Sequence, residues 1–185
     1  MIAATRLETA RLILRPPAAK DIAAAVAFFS DDRSIHVGGP LDAGRGWRAF
    51  ASLAGHWALM GYGPYVLESR ETGAPLGLCG PWHPGDWPEA EMSWTIWSAE
   101  AEGKGYAAEA ATRVLDHIFT DLGWASAPSY IDPSNARSIA LAERLGATLD
   151  AAAALPDRVK DAPVRVYRHR PLATRDGDGG VEAYA

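Results

Sequence analysis

The spacing of apolar and polar residues changes along this chain, and the changes mark its elements. Leu7 to Arg15 is dense in β-formers (Leu12-Ile13-Leu14) and stops at Pro16-Pro17, which predicts a first strand. Lys20 to Ser30 is an alanine-rich helix candidate ending in Phe28-Phe29, and Asp31 to Arg45 reads as a loop carrying Gly38-Gly39-Pro40. Trp47, Phe50, Ala54 and Trp57 recur at helical spacing, so Trp47 to Met60 is expected to be a second helix, closed by Gly61 and Gly63. Three short strands follow, Tyr65 to Glu68, Leu76 to Gly80 and Glu91 to Trp97. The last alternates strictly, with Met92, Trp94 and Ile96 on one face and Glu91, Ser93, Thr95 and Trp97 on the other. Their short connections predict an antiparallel meander.

The most regular helix comes next. Ala107, Ala110, Ala111, Val114, Leu115 and Ile118 keep the i, i+3, i+4, i+7 rhythm. Trp124 to Ile131 is expected as a strand and Asn135 to Leu145 as a helix capped by Gly146. Ala147 to Ala151 and Pro163 to His169 are further strands, and the small polar tail from Leu172 is expected to be disordered. A meander between helical segments does not fit a strictly alternating Rossmann chain. The expectation is one α/β (α+β) domain over residues 1–171, with about seven mostly antiparallel strands in a mixed sheet and about four helices.

Composition narrows the class. The 185 residues are 48% hydrophobic and 22% charged, which suits a single globular domain. A formal net charge of -5 argues against a broad basic face for nucleic acid. Cys79 is the single cysteine, so no internal disulfide can form and a reducing compartment is the simpler setting. No apolar run suits a signal peptide or a membrane span, so a soluble, cytoplasmic protein is expected. The five histidines show no metal-ligand spacing, and no metal is expected.

The chemistry concentrates in Glu102-Gly103-Lys104-Gly105-Tyr106-Ala107-Ala108-Glu109-Ala110, which follows a strand and opens the best helix. The first amides of a helix lack partners within it and carry partial positive charge. Glycines let such amides approach an anion, so this turn is a candidate diphosphate cradle to which Lys104 adds charge. The same string also fits a tight loop, or the weak dinucleotide pattern G-x-G-x-x-A. No phosphate loop of the G-x-x-x-x-G-K-[ST] type and no G-x-S-x-G elbow is present.

Three segments in register then point one way. Glu8 to Pro16 (E-T-A-R-L-I-L-R-P), Gly103 to Ala110 (G-K-G-Y-A-A-E-A) and Asn135 to Ala147 (N-A-R-S-I-A-L-A-E-R-L-G-A) together resemble the GNAT family of acetyl-CoA-dependent N-acetyltransferases. The closer resemblance is to its RimJ/RimL-type branch, which acetylates ribosomal-protein N-termini and other amines. It spans roughly residues 7–170. It implies a sheet splayed between Glu91–Trp97 and Trp124–Ile131, with acetyl-CoA as cosubstrate in the opening. It implies pantetheine on the backbone near Ile96 and Trp97, pyrophosphate on the amides of Gly103, Lys104, Gly105, Tyr106 and Ala107, and Asn135 bonded to the pantetheine arm.

Two departures stand out. Glu102 replaces the family's usual Arg or Gln, and a carboxylate cannot donate to phosphate. Ala142 sits where many relatives carry a tyrosine acid, so Ser138 is taken as the donor to the departing thiolate and Glu91 as the base. The Trp82–Trp87 loop, Trp47 and Trp57 are weak candidates for an acceptor pocket, and the acidic balance weakly favours a cationic acceptor. The acceptor wall is expected near Asp31–Arg45 and Pro156–Pro163. A peptide or protein N-terminus and a small-molecule amine both stay open as acceptors, and so does a homodimer. The alternatives are a non-catalytic acyl-CoA-binding module and, less favoured, a nucleotide binder.

Overall fold

The structure is a computed structural model that describes residues 6–171; the expected tail from 172 lies outside the described residues. The segment expected as one opening strand is a hairpin. The Leu12 amide donates to Thr9 Oγ1 (3.0 Å), and Thr9 Oγ1 donates to Glu109 (2.6 Å) on a distant helix. This pins a turn between β1 (Leu7–Glu8) and β2 (Leu12–Arg15).

From β2 the chain builds an antiparallel sheet in the order β1-β2-β3-β4-β5, with β3 at Tyr65–Ser69, β4 at Pro75–Trp82 and β5 at Glu91–Ile96. A second sheet has the order β6-β8-β7, with β6 at Ala127–Ile131, β7 at Thr148–Leu149 and β8 at Arg165–His169. The sheet therefore opens between β5 and β6, where the family resemblance implies a splay.

Helix α1 (Ile22–Phe29) buries Ala25, Phe28 and Phe29. Helix α2 (Ala43–Met60) begins a turn before the expected Trp47 because the Asp42 carboxylate accepts from the Arg45 amide (2.9 Å) and caps it. These two helices cover one face of the large sheet, where Phe50, Val66, Leu78 and Trp97 meet. Helix α3 (Tyr106–Thr120) covers the other face, packing Ala110, Ala111, Val114, Leu115 and Ile118 on Leu12, Leu14, Leu67 and Met92. The two-residue period of β3 and β5 splits their side chains between these cores. Helix α4 (Ala136–Arg144) lays Ala142 on Ile131 and Tyr167 of the small sheet. Residues 32–37, expected as loop, form a short 3-10 helix between α1 and α2. Among the described residues no helix is long and apolar enough to cross a membrane.

Candidate active-site cleft

The parity of β5 decides what the divided sheet exposes. The Trp97 amide donates to Leu76 O on β4 (2.8 Å), so in an antiparallel ladder the main chains of Thr95 and Ser93 also face β4. The main chains of Trp94 and Ile96 then face β6, where no ladder among the described residues receives them. Met92 follows the same parity, and its carbonyl accepts from the Ser129 hydroxyl of β6 at 2.5 Å. That bond ties the two sheets at one point. Beyond it they part, and a cleft of about 1000 Å³ opens, lined by Trp94, Thr95 and Ile96 on one side and by Asn135 to Ser138 of α4 on the other.

The glycine turn closes one end of this cleft. Gly103 (φ 72°) and Gly105 (φ 80°) adopt the left-handed conformation that favours glycine. A Cβ on Gly103 would meet nothing within 4 Å, so the turn needs glycine for its dihedral angles and not for space. Glu109 N donates to Gly105 O as α3 starts. Among the described residues, the amides of Gly103, Lys104, Gly105, Tyr106 and Ala107 make no main-chain hydrogen bond. Gly103, Gly105, Tyr106 and Ala107 line the cleft. The Lys104 side chain is exposed, and its carbonyl accepts from Arg11 (2.9 Å). The same guanidinium sits 4.5 Å from the centre of the Tyr106 ring, which gives that ring a packing role. Glu109 anchors the turn from behind. Burial opposes its charge, but hydrogen bonds from Thr9 and Arg11 hold its pKa below the ordinary value.

Glu102 does not act as a phosphate donor but as a bridge. Its oxygens accept from Arg33 (3.1 Å) and Arg137 (2.5 Å), which come from opposite sides of the cleft. Arg33 also donates to the Trp97 carbonyl. Both main-chain groups of Trp97 are thus engaged, and its side chain is buried. The expectation that Ile96 and Trp97 share the open backbone shifts by one parity step, to Trp94 and Ile96. The cationic donors that Glu102 cannot supply stand beside it as Arg33 and Arg137.

Asn135 caps α4, its side-chain oxygen accepting from the Ser138 amide (3.1 Å). That orientation leaves its NH2 group as the donor. Ser138 Oγ accepts from the Trp94 indole N–H (3.3 Å), a bond that spans the opening. With one lone pair taken, the hydroxyl proton is left to donate elsewhere. Thr95 Oγ1 is buried at the cleft wall without a hydrogen-bond partner among the described residues. Such an orphan at a concave surface fits a polar ligand. Glu91 stands half-buried at the start of β5, opposite Trp82, and does not line the cleft.

Residues 28–37 form the remaining wall through Phe28, Arg33, Ile35, His36 and Val37. His36 stands 3.9 Å from Asp132. Of the seven tryptophans, only Trp94 lines the cleft, so the aromatic candidates at Trp47, Trp57, Trp82 and Trp87 lie elsewhere. Among the described residues, none of the segment near Pro156–Pro163 lines it. The chain's acidic balance is also reversed locally: among the described residues, three arginines (Arg33, Arg137, Arg144) line the cleft against one glutamate. Phe28, Arg33, Ile35, His36, Val37 and Trp94 escaped the sequence reading as named site residues. No motif marks Arg33, and Trp94 reads as core because its side chain does pack there.

Comparison with known proteins adds independent weight. Residues 11–148 match the family model described as the acetyltransferase (GNAT) domain. A solved acetyltransferase from Agrobacterium tumefaciens str. C58 is 37% identical, superposes with a TM-score of 0.84 and is matched over 92% of this chain and 97% of its own. An aminoglycoside acetyltransferase solved in complex with coenzyme A shares the fold at 18% identity, with a TM-score of 0.69 over 89% of this chain and 97% of its own. The uncharacterized Bacillus subtilis protein YkkB is 34% identical over 90 residues; that match covers 46% of this chain and about half (52%) of the relative.

Proposed function

This chain belongs to the GNAT acetyltransferase family, and we propose that it moves an acetyl group from acetyl-CoA directly to a primary amine of the kind used by the RimJ/RimL-type branch. One observation carries the reading: a run of amides from Gly103 to Ala107, without main-chain partners among the described residues, closes one end of a cleft that the unladdered edge of β5 also lines. Such amides, at a helix N-terminus, suit the twin phosphoryl groups of the coenzyme.

Bound there, acetyl-CoA supplies an activated acyl carbon and a thiol leaving group. The chain's residues do the rest. The amides of Gly103 to Ala107 hold the pyrophosphate, with Arg33 and Arg137 adding charge. The Asn135 amide and the main chains of Trp94 and Ile96 fix the pantetheine arm, and a β5 amide points a donor at the carbonyl oxygen where charge develops. The Ser138 hydroxyl donates to the departing sulfur. The amine nitrogen would bond to the acyl carbon as the carbon–sulfur bond breaks; the proton it loses would pass through water to the base, and the Ser138 oxygen, having given its proton to sulfur, would regain one from solvent.

Titration calorimetry is expected to show acetyl-CoA binding with neither NAD nor ATP competing, and thiol release on adding amines separates transfer from mere acyl-CoA binding. Heat with acetyl-CoA but no thiol release from any amine would leave the non-catalytic module as the better reading.

Glu91 is proposed as the base, acting through water because it stands outside the cleft lining. An α-amine ionises near about 7.7–8.0, so at pH 8 much of it is already neutral and needs little help. Glu91→Gln is therefore expected to slow acetylation less than about 10-fold at pH 8 and more at pH 6.5. Equal losses at both pH values would remove Glu91 from this role.

A further inference from the structure

The cleft's third wall bears on which amine is accepted, an inference that rests on the transfer reading above. Ile35 and Val37 are large apolar residues that remain 62% and 40% exposed, and both line the cleft beside Phe28. They sit on a braced platform. Asp31 accepts from the Arg33 amide (2.8 Å), Ser34 Oγ donates to Asp31 O (2.7 Å), and Arg33 ties the segment to Trp97 O and Glu102. A short 3-10 helix so held does not collapse to bury its own apolar side chains, so they stay available to a ligand.

The charges point the same way. A polyamine or aminoglycoside needs carboxylates for its additional ammonium groups. Among the described residues Glu102 is the single carboxylate lining this cleft, and both its oxygens are already engaged by guanidinium groups. Asp132, just outside, has one oxygen taken by Ser134. Phosphates on the coenzyme would offset the arginines on that side, but they would not create a carboxylate on the acceptor side.

We infer that the acceptor is an amine whose amino group adjoins an aliphatic or aromatic side group and which carries no second positive charge, such as the α-amine of a peptide or amino acid with an apolar first residue. Phe28, Ile35 and Val37 receive the side group.

The test measures binding to the full chain saturated with coenzyme A, alongside acetylation from acetyl-CoA. The probes are Leu-Gly-Gly, Phe-Gly-Gly, Lys-Gly-Gly, leucine, spermidine and kanamycin. The apolar-first probes are expected to bind and react at least 10-fold better than spermidine and kanamycin, with the tripeptide against leucine separating a peptide terminus from a free amino acid. Ile35→Ser with Val37→Ser is expected to weaken Leu-Gly-Gly binding at least 5-fold and to leave calorimetric affinity for acetyl-CoA unchanged. Preference for the polycations, or no effect of the double variant on a protein that still binds acetyl-CoA, overturns the inference. Binding in the expected order without acetylation of any probe would uphold it and instead sink the transfer reading.

Discussion

Asp21→Ala is expected to remove about 3–5 kcal/mol of folding stability, because it leaves the two terminal nitrogens of a largely buried guanidinium without a carboxylate. Asp21 is fully buried, and its two oxygens take both terminal nitrogens of Arg15 at 2.7 Å. One of those oxygens also accepts from the Ala18 amide (2.9 Å) and fixes the entry into α1. Arg15 reaches Glu68 with its Nε (2.7 Å), and Glu68 is held in turn by Lys20 (2.6 Å). Strand β2, strand β3 and the approach to α1 thus share one charged cluster, and α1 leads directly into the 28–37 wall of the cleft.

Urea unfolding at pH 7 measures the loss. Replacing Arg15 and Asp21 together with apolar residues is expected to recover much of it, since the buried charge then goes too. The pH dependence has a definite sign. The hydrogen bond from Lys20 and, against the cost of burial, that from Arg15 lower the Glu68 pKa below its ordinary 4.5. Its stabilisation is therefore fully present above that value and is lost as pH falls through the depressed one. A loss below about 1 kcal/mol for Asp21→Ala would mean that the network is dispensable.

Elements set by short-range period were legible in the sequence. The core face of α3, the alternation of β5, the glycine turn and the Asn135–Ser138 segment stand where their spacing places them. What escaped depends on partners distant in sequence. The Thr9 turn is locked by Glu109, 100 residues away, so a run of β-formers looked like one strand. The start of α2 was hidden because Asp31 to Arg45, carrying Gly38-Gly39-Pro40, reads as a loop, while Asp42 acts as a cap. The opening of the sheet came with the family resemblance, but which main-chain groups of β5 face it depends on which edge of β5 meets β4, and a single strand does not disclose that. The local charge of the cleft is invisible to net charge, because Arg33 and Arg137 meet only after folding.

The cross-cleft bond between Trp94 and Ser138 sets the second large effect. Ser138→Ala is expected to lower kcat about 100-fold, the lower end for a lost proton donor, with acetyl-CoA affinity nearly unchanged. The hydroxyl is held at one lone pair by an indole N–H across the opening, and this directs its proton away from Trp94. Trp94→Phe keeps an aromatic ring against the core and removes that N–H. A bond of this kind contributes about 0.5–1.5 kcal/mol, so kcat should fall about 2- to 10-fold with little change in the KM for acetyl-CoA. The two effects are coupled: with Ser138 already alanine, Trp94→Phe has no hydroxyl left to misdirect and should cost almost nothing more. A cycle of the four proteins, read by thiol release at saturating acetyl-CoA, distinguishes orientation from packing. If Trp94→Phe slows the Ser138→Ala protein as much as it slows the parent, the indole acts only as filler. If Ser138→Ala keeps the full rate, proton delivery to sulfur comes from elsewhere.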